Sequence, residues 1–163
     1  MSTITELSSR YIDEMAALDP VRGERWGVVS DPTRLTDYSP DGLAALRGLL
    51  QATLDGLGAA EAPHDEAERL GLGWMQDFLG GEIGVIDAGE RERWLSIITG
   101  PAAGTRSVFD LMDRSSAEAW QPIAKRLRAV DGALAGYRRT LEAGLAHGRP
   151  AARRQAIAVA EQC

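Results

Sequence analysis

Large apolar residues fall at Trp120, Ile123, Leu127, Val130, Leu134, Tyr137, Leu141 and Leu145, in steps of three and four. That spacing lays one apolar stripe along a single face of a helix running from about residue 115 to 147, with Lys125, Arg128, Arg138 and Glu142 on the other faces. Ser115 and Glu118 stand in the order of a capping box and predict its start. Pro122 then lies one to two turns inside, where the missing N–H and the ring clash predict a local bend. Each large side chain left in water forfeits roughly 1.5–3 kcal/mol of burial free energy, so a helix of this kind requires helical partners.

Shorter stretches of the same period supply them. Leu7, Tyr11, Met15 and Leu18 predict a first helix over 5–18, ended by Asp19-Pro20, because the residue before proline is pushed out of the α region. A short turn of helix follows through Arg25 and Trp26, and residues 27–38 read as an extended connection. Ser39-Pro40-Asp41 is a helix start, with Leu43, Leu46, Leu50, Leu54 and Leu57 as the buried face and Gly56 and Gly58 closing it. Ala62-Pro63-His64-Asp65 starts a third helix with apolar Leu70, Trp74, Phe78 and Leu79. Its glycines Gly71, Gly73, Gly80 and Gly81 cost roughly 1 kcal/mol each relative to alanine, and read as sites of close helix contact or as a place where the helix loosens.

Residues 84–100 carry a charged centre with one helical turn through Trp94, and Pro101 opens a short helix ending near Asp113. Pro150 begins a last helix, where Ala152, Ala156, Ile157 and Ala160 run on to Cys163 without a stop signal. The prediction is an all-α fold: an antiparallel, bundle-like array of helices in which residues 1–163 form one unit. The unstopped pattern leads us to expect the N-terminal part of a larger domain.

Composition narrows the function classes more than it selects one. With 44% hydrophobic, 26% charged and 6% aromatic residues, the 163-residue chain is ordinary for a globular protein and better suited to helices than to sheets. The net charge of −6 is unevenly placed: residues 1–121 hold 10 basic and 21 acidic side chains, residues 122–163 hold 8 and 3. A basic C-terminal surface docking on an acidic body accounts for this. Nucleic-acid binding is not expected, since the basic residues come mostly as adjacent pairs, Arg138 with Arg139 and Arg153 with Arg154, with little aromatic interleaving. No signal peptide or membrane-length apolar run is visible, and cytoplasmic residence is the expectation.

Candidate chemistry is sparse. Zinc-peptidase helices need two histidines four apart with a glutamate beside the first. This chain has only His64 and His147, and around His64 it reads HDEAE, with Glu68 where the second histidine would stand. A His64–Glu68 pair lacks a third ligand, so capping and a surface position are the better reading. His147 is read as complementing a helix dipole at a C-terminus. Cys163, the one cysteine, can form no intrachain disulfide and has no neighbouring histidine to activate it. The glycine-bearing run 100–105 lacks the lysine of a phosphate loop. Trp26, Trp74, Trp94 and Trp120 read as core, with groove lining as the alternative. No catalytic, cofactor-binding or metal residue is assigned.

The runs RSVFDLM at 106–112, AEAWQPIAKRLRAVDGALAGYRRTLEAGLAHG at 117–148 and ARRQAIAVAEQ at 152–162 resemble the bacterial domain of unknown function family 885. The opening SSRYIDEMAALDPVRGERWG and the DYSPDGLAALRGLL stretch are similar to the start of that family. The resemblance implies a long, almost wholly helical protein with an HExxH zinc-binding helix in its C-terminal portion, regarded as metallopeptidase-like. No residue here matches that motif. The implied role is a non-catalytic wall of a substrate cleft, with zinc only in a longer family member. A C-terminal catalytic portion is the implied partner and a peptide the implied substrate. Self-association as a free-standing helical interaction module is the alternative.

Overall fold

The computed structural model describes residues 3–28 and 31–161, and among these there are helices and no strands. Among the described residues there are seven α-helices: α1 (Ile4–Leu18), α2 (Pro20–Arg25), α3 (Pro40–Gly58), α4 (Glu66–Asp87), α5 (Pro101–Ser107), α6 (Trp120–Ala146) and α7 (Arg153–Ala160). Two 3₁₀ turns, Glu90–Arg93 and Val108–Leu111, join them. The all-α expectation holds.

Local chemistry explains most of the helix starts. Thr3 accepts from the Glu6 N–H while Glu6 accepts from the Thr3 N–H, a reciprocal cap that starts α1 one residue earlier than expected. Asp19 accepts from the Arg22 N–H and Pro20 takes the first position of α2. Ser39 accepts from the Gly42 N–H ahead of Pro40, as its sequence predicts for α3.

One core cluster is built from α1, α3 and α4. Ile4, Leu7, Tyr11 and Met15 meet Leu50 and Leu57 of α3 and Met75, Leu79 and Ile83 of α4. Arg47 in the first half of α3 forms a two-pronged pair with Asp87 at the end of α4, at 2.6 and 2.8 Å, so these helices run antiparallel. Thr5 of α1 reaches Glu68 near the start of α4, which aligns those two in parallel. Replacing fully buried Leu50 or Leu79 by alanine would cost about 2–5 kcal/mol. A second cluster, Val21, Leu35 and Val108 with Phe109, Ala129, Val130 and Ala133, ties α6 to the short helices and the connection.

Helix α6 departs from the stripe. Its buried residues are Ile123, Arg126, Gly136, Tyr137, Thr140 and Gly144, whereas Trp120, Leu127, Leu134 and Leu145 are exposed. The reason is the surface it meets. Besides the side chains of the second cluster, α6 lies against backbone of 31–39 and of the 90–93 turn, close enough there to demand small residues: a Cβ on Gly144 would collide with the Glu92 carbonyl, and one on Gly136 would lie 3.3 Å from the Ser39 nitrogen.

Its start is also later than predicted. Asp113 accepts from both the N–H and the hydroxyl of Ser115, which turns that hydroxyl away from Glu118, and α6 begins at Trp120 without a side-chain cap. Pro122 therefore stands in the first turn, where its N–H would have no helical partner, and the predicted bend has no cause. At the other end Gly148, with φ +71, lets the Arg149 N–H reach the Gly144 carbonyl at 2.7 Å, a left-handed terminus that glycine adopts without strain.

Other expectations also shift. Gly56 and Gly58 lie within α3, which is capped by Ala59. A Cβ on any of the α4 glycines Gly71, Gly73, Gly80 and Gly81 would meet no other element within 4 Å, and the helix runs through them unbroken; they are neither contact sites nor a loosening. Leu70 and Trp74 are exposed, because the buried face of α4 is Met75, Leu79 and Ile83. The last helix is confined to Arg153–Ala160, and Cys163 lies outside the described residues.

Candidate functional site

Where α2, the Thr36–Tyr38 segment, the start of α3, the 91–101 segment and α6 meet, they leave an open cavity of about 200 Å³. Leu18, Val21, Leu46, Trp94 and Pro101 make it mainly apolar. Such a cavity with a few convergent polar groups is the usual form of a small-ligand site.

Its polar groups are held by specific bonds. The Thr140 hydroxyl donates to the Tyr38 carbonyl at 2.7 Å, and the Tyr137 hydroxyl donates to the Trp94 carbonyl, so α6 fixes both neighbouring segments. Thr36 donates to Asp19. Burial raises the pKa of Tyr38, and of Tyr137 to about 12, so both phenols are donors at neutral pH.

Three arginines line the cavity. Arg22 lies 3.4 Å from Asp19. Arg91 bonds Glu82 at 2.8 Å, stacks over Trp94 at 4.4 Å from the ring centre, and keeps a buried Nε without a hydrogen-bond partner. Arg25 donates to the Ser107 hydroxyl at 2.9 Å and has no ion pair among the described residues. The arrangement can hold a ligand with a negative group and an apolar body. Nothing in the sequence pattern marks it, because its walls come from segments up to about 120 residues apart that carry no common motif.

The residues weighed from the sequence fall elsewhere. His64 is exposed, its Nε2 3.9 Å from Glu61, while Glu68 accepts from the His64 backbone N–H at 2.9 Å and from the Thr5 hydroxyl. Glu68 therefore serves the backbone at the start of α4 and does not converge with the His64 imidazole. His147 caps the end of α6, with Nδ1 3.0 Å from Glu92, which also pairs with Arg149. Hydrogen bonding from His147, reinforced by Arg149, lowers the Glu92 pKa. Among the described residues no three His, Cys, Asp or Glu side chains converge, so these residues do not fit a zinc site.

The tryptophans divide. Trp94 lines the cavity, but Trp26, Trp74 and Trp120 are exposed rather than core. Trp74 stacks on Phe78 with centroids 5.2 Å apart, which shields one ring face only. Basic residues of the C-terminal third reach the acidic body through Arg126 with Glu24 and through His147 and Arg149 with Glu92, while Arg128, Arg139, Arg153 and Arg154 face solvent. Among the described residues no helix is long and apolar enough to cross a membrane.

No curated protein matches this chain. The profile of one family matches residues 20–163, a span that takes in α6, α7 and the cavity lining apart from Leu18 and Asp19 but leaves α1 outside. On that match the chain belongs to the family described as bacterial protein of unknown function, DUF885.

Proposed function

We propose that this chain is a non-catalytic helical portion of a metallopeptidase-like protein, and that its cavity is one wall of a substrate cleft. The observation that carries this reading is the cavity itself: open, mainly apolar, and rimmed by the exposed side chain of Ile98, which is 81% accessible. An exposed isoleucine beside an apolar hollow suits contact with a peptide more than contact with water. Zinc and the residues that polarise a scissile bond are supplied from outside the described residues, in the C-terminal catalytic portion that also docks here.

The test uses the purified chain. Hydrophobic peptides should change Trp94 emission saturably, zinc calorimetry should give no tight site, and peptides should remain uncut. A tight one-to-one zinc site, or peptide hydrolysis abolished by His64→Ala, sinks the reading.

A second reading, self-association as a helical interaction module, draws on the exposed Leu127, Leu134 and Leu145 of α6. Sedimentation separates the two: a stable oligomer that dissociates on Leu127→Gln and Leu134→Gln substitution favours the module.

A further inference from the structure

We infer that the exposed edge of α6 is a self-recognition surface that joins two copies of this chain through one antiparallel helix contact. The inference deepens the reading of α6 as a self-associating module and rests on it. Peptide binding by the cavity is independent of it, since the cavity residues of α6, Tyr137 and Thr140, are on the buried side of the helix. Leu127, Asp131, Leu134, Arg138, Leu141 and Leu145 recur in steps of four and three, the 3.5-residue period of a seam between two helices. Five of the six are exposed, Leu127 at 54% and Leu145 at 62%, and Leu141 is half-buried.

Charge decides the partner and its direction. The two polar members of the seam are of opposite sign and stand on either side of Leu134. Asp131 has no ion pair among the described residues, and Arg138 lies 2.8 Å from Glu142 in an exposed pair that contributes little. Two α6 helices laid antiparallel about a two-fold axis near Leu134 set Asp131 of each copy beside Arg138 of the other, with Leu134 on Leu134 and Leu127 beside Leu141. Laid parallel, the same seam sets Asp131 on Asp131 and Arg138 on Arg138, and like charges repel. A two-fold contact uses one patch on both copies, so a patch that complements itself in charge selects a second copy as its occupant. A partner helix of one charge sign would meet one of the two residues and be repelled by the other. The seam from Leu127 to Leu145 is about 27 Å long, a small interface, so the dimer should be weak, with Kd on the order of 10 μM.

The experiment is sedimentation of the full chain between about 1 μM and 1 mM, where a reversible dimer is expected. Leu134→Gln and Asp131→Arg should each raise Kd by roughly tenfold or more, and Arg139→Gln, outside the seam, should not. Mixing Asp131→Arg with Arg138→Asp should restore the dimer, because each copy then meets opposite charge at both positions. In a Cys163→Ser background, oxidised Leu134→Cys should give a covalent dimer, whereas Leu127→Cys and Leu145→Cys should not, their partners being far along the axis. Self-cross-linking at Leu127 and Leu145, or a dimer that ignores Asp131→Arg, overturns the antiparallel assignment and leaves self-association standing. A dimer that ignores Leu134→Gln overturns α6 as its surface. A monomer at every concentration overturns both. The substituted side chains are exposed, so circular dichroism of each variant should match the parent and exclude unfolding as the cause.

Discussion

Arg126 of α6 reaches Glu24 of α2 at 2.6 Å with its own side chain wholly out of solvent. The same guanidinium donates to the carbonyls of Arg34, at 2.9 Å, and Asp31, at 3.2 Å, so one buried cation pins the connection 31–39 against two helices. Removing one member of a buried pair strands the other charge, and the cost is about 3–5 kcal/mol. Glu24→Ala should therefore lower the unfolding free energy by that much, read as a fall in the urea midpoint at constant slope. The double variant Glu24→Ala with Arg126→Met should lose less than Glu24→Ala alone, because no orphan cation remains. A Glu24→Ala variant within about 1 kcal/mol of the parent would show that the pair is not buried as described.

Glycines of α6 and α4 should respond to alanine with opposite signs. At Gly144 the new methyl meets the Glu92 backbone carbonyl, which cannot rotate away, and the overpacking should cost about 1–3 kcal/mol. At Gly80 and Gly73 the same methyl meets open space on a helix, and each change should stabilise by up to about 1 kcal/mol. Thermal unfolding reads both: a fall of several degrees for Gly144→Ala and a rise of roughly 2–4 °C for Gly80→Ala. A rise for Gly144→Ala would mean that α6 does not approach the 90–93 turn.

The exposed stripe of α6 should be thermodynamically silent in the monomer. Leu127→Gln and Leu134→Gln should each change stability by no more than about 0.5 kcal/mol, as surface substitutions do. Ile123→Ala, one turn before Leu127 but buried, should cost about 2–5 kcal/mol. Equal losses at Leu127 and Ile123 in a monomeric sample would restore the stripe as the packing face.

How far the fold was legible depends on what each helix packs against. Where large side chains meet large side chains, as Leu7, Tyr11 and Met15 of α1 meet Leu50 and Leu57 of α3, period and burial coincide and the sequence announces both; on α4 it announces only Leu79 of the buried Met75, Leu79 and Ile83. The C-terminal half of helix α6 meets backbone, so its contact face there is marked by Gly136, Thr140 and Gly144, residues that a search for apolar bulk passes over. The capping pattern shows the same dependence. Thr3 and Glu6 form the reciprocal cap, whereas Ser115 and Glu118, in the same order, do not, because Asp113 captures the serine first. The cavity was not legible at all: Arg25, Tyr38 and Gly104 become neighbours only through the packing of α2 and α5.

Alkaline pH offers a last check on the contact between α6 and the 91–101 segment. Burial raises the Tyr137 pKa from 10 to about 12, and its hydroxyl donates to the Trp94 carbonyl, an interaction that the phenolate cannot make. Below pH 10 both folded and unfolded chains hold this proton, and the contribution is constant. Between pH 10 and 12 the unfolded chain releases it and the folded chain does not, so the unfolded state binds fewer protons and stability falls as pH rises. Allowing for screening at the partly solvated ring, the loss should be on the order of 1–2 kcal/mol. Tyr11 and Tyr38 are raised in the same sense by burial, so the parent alone cannot isolate Tyr137. Tyr137→Phe does: it should be less stable than the parent at neutral pH and should lose less between pH 10 and 12, the two urea midpoints drawing together. Parallel curves across that interval would mean that Tyr137 titrates as a solvated phenol and that α6 does not seal this edge of the cavity.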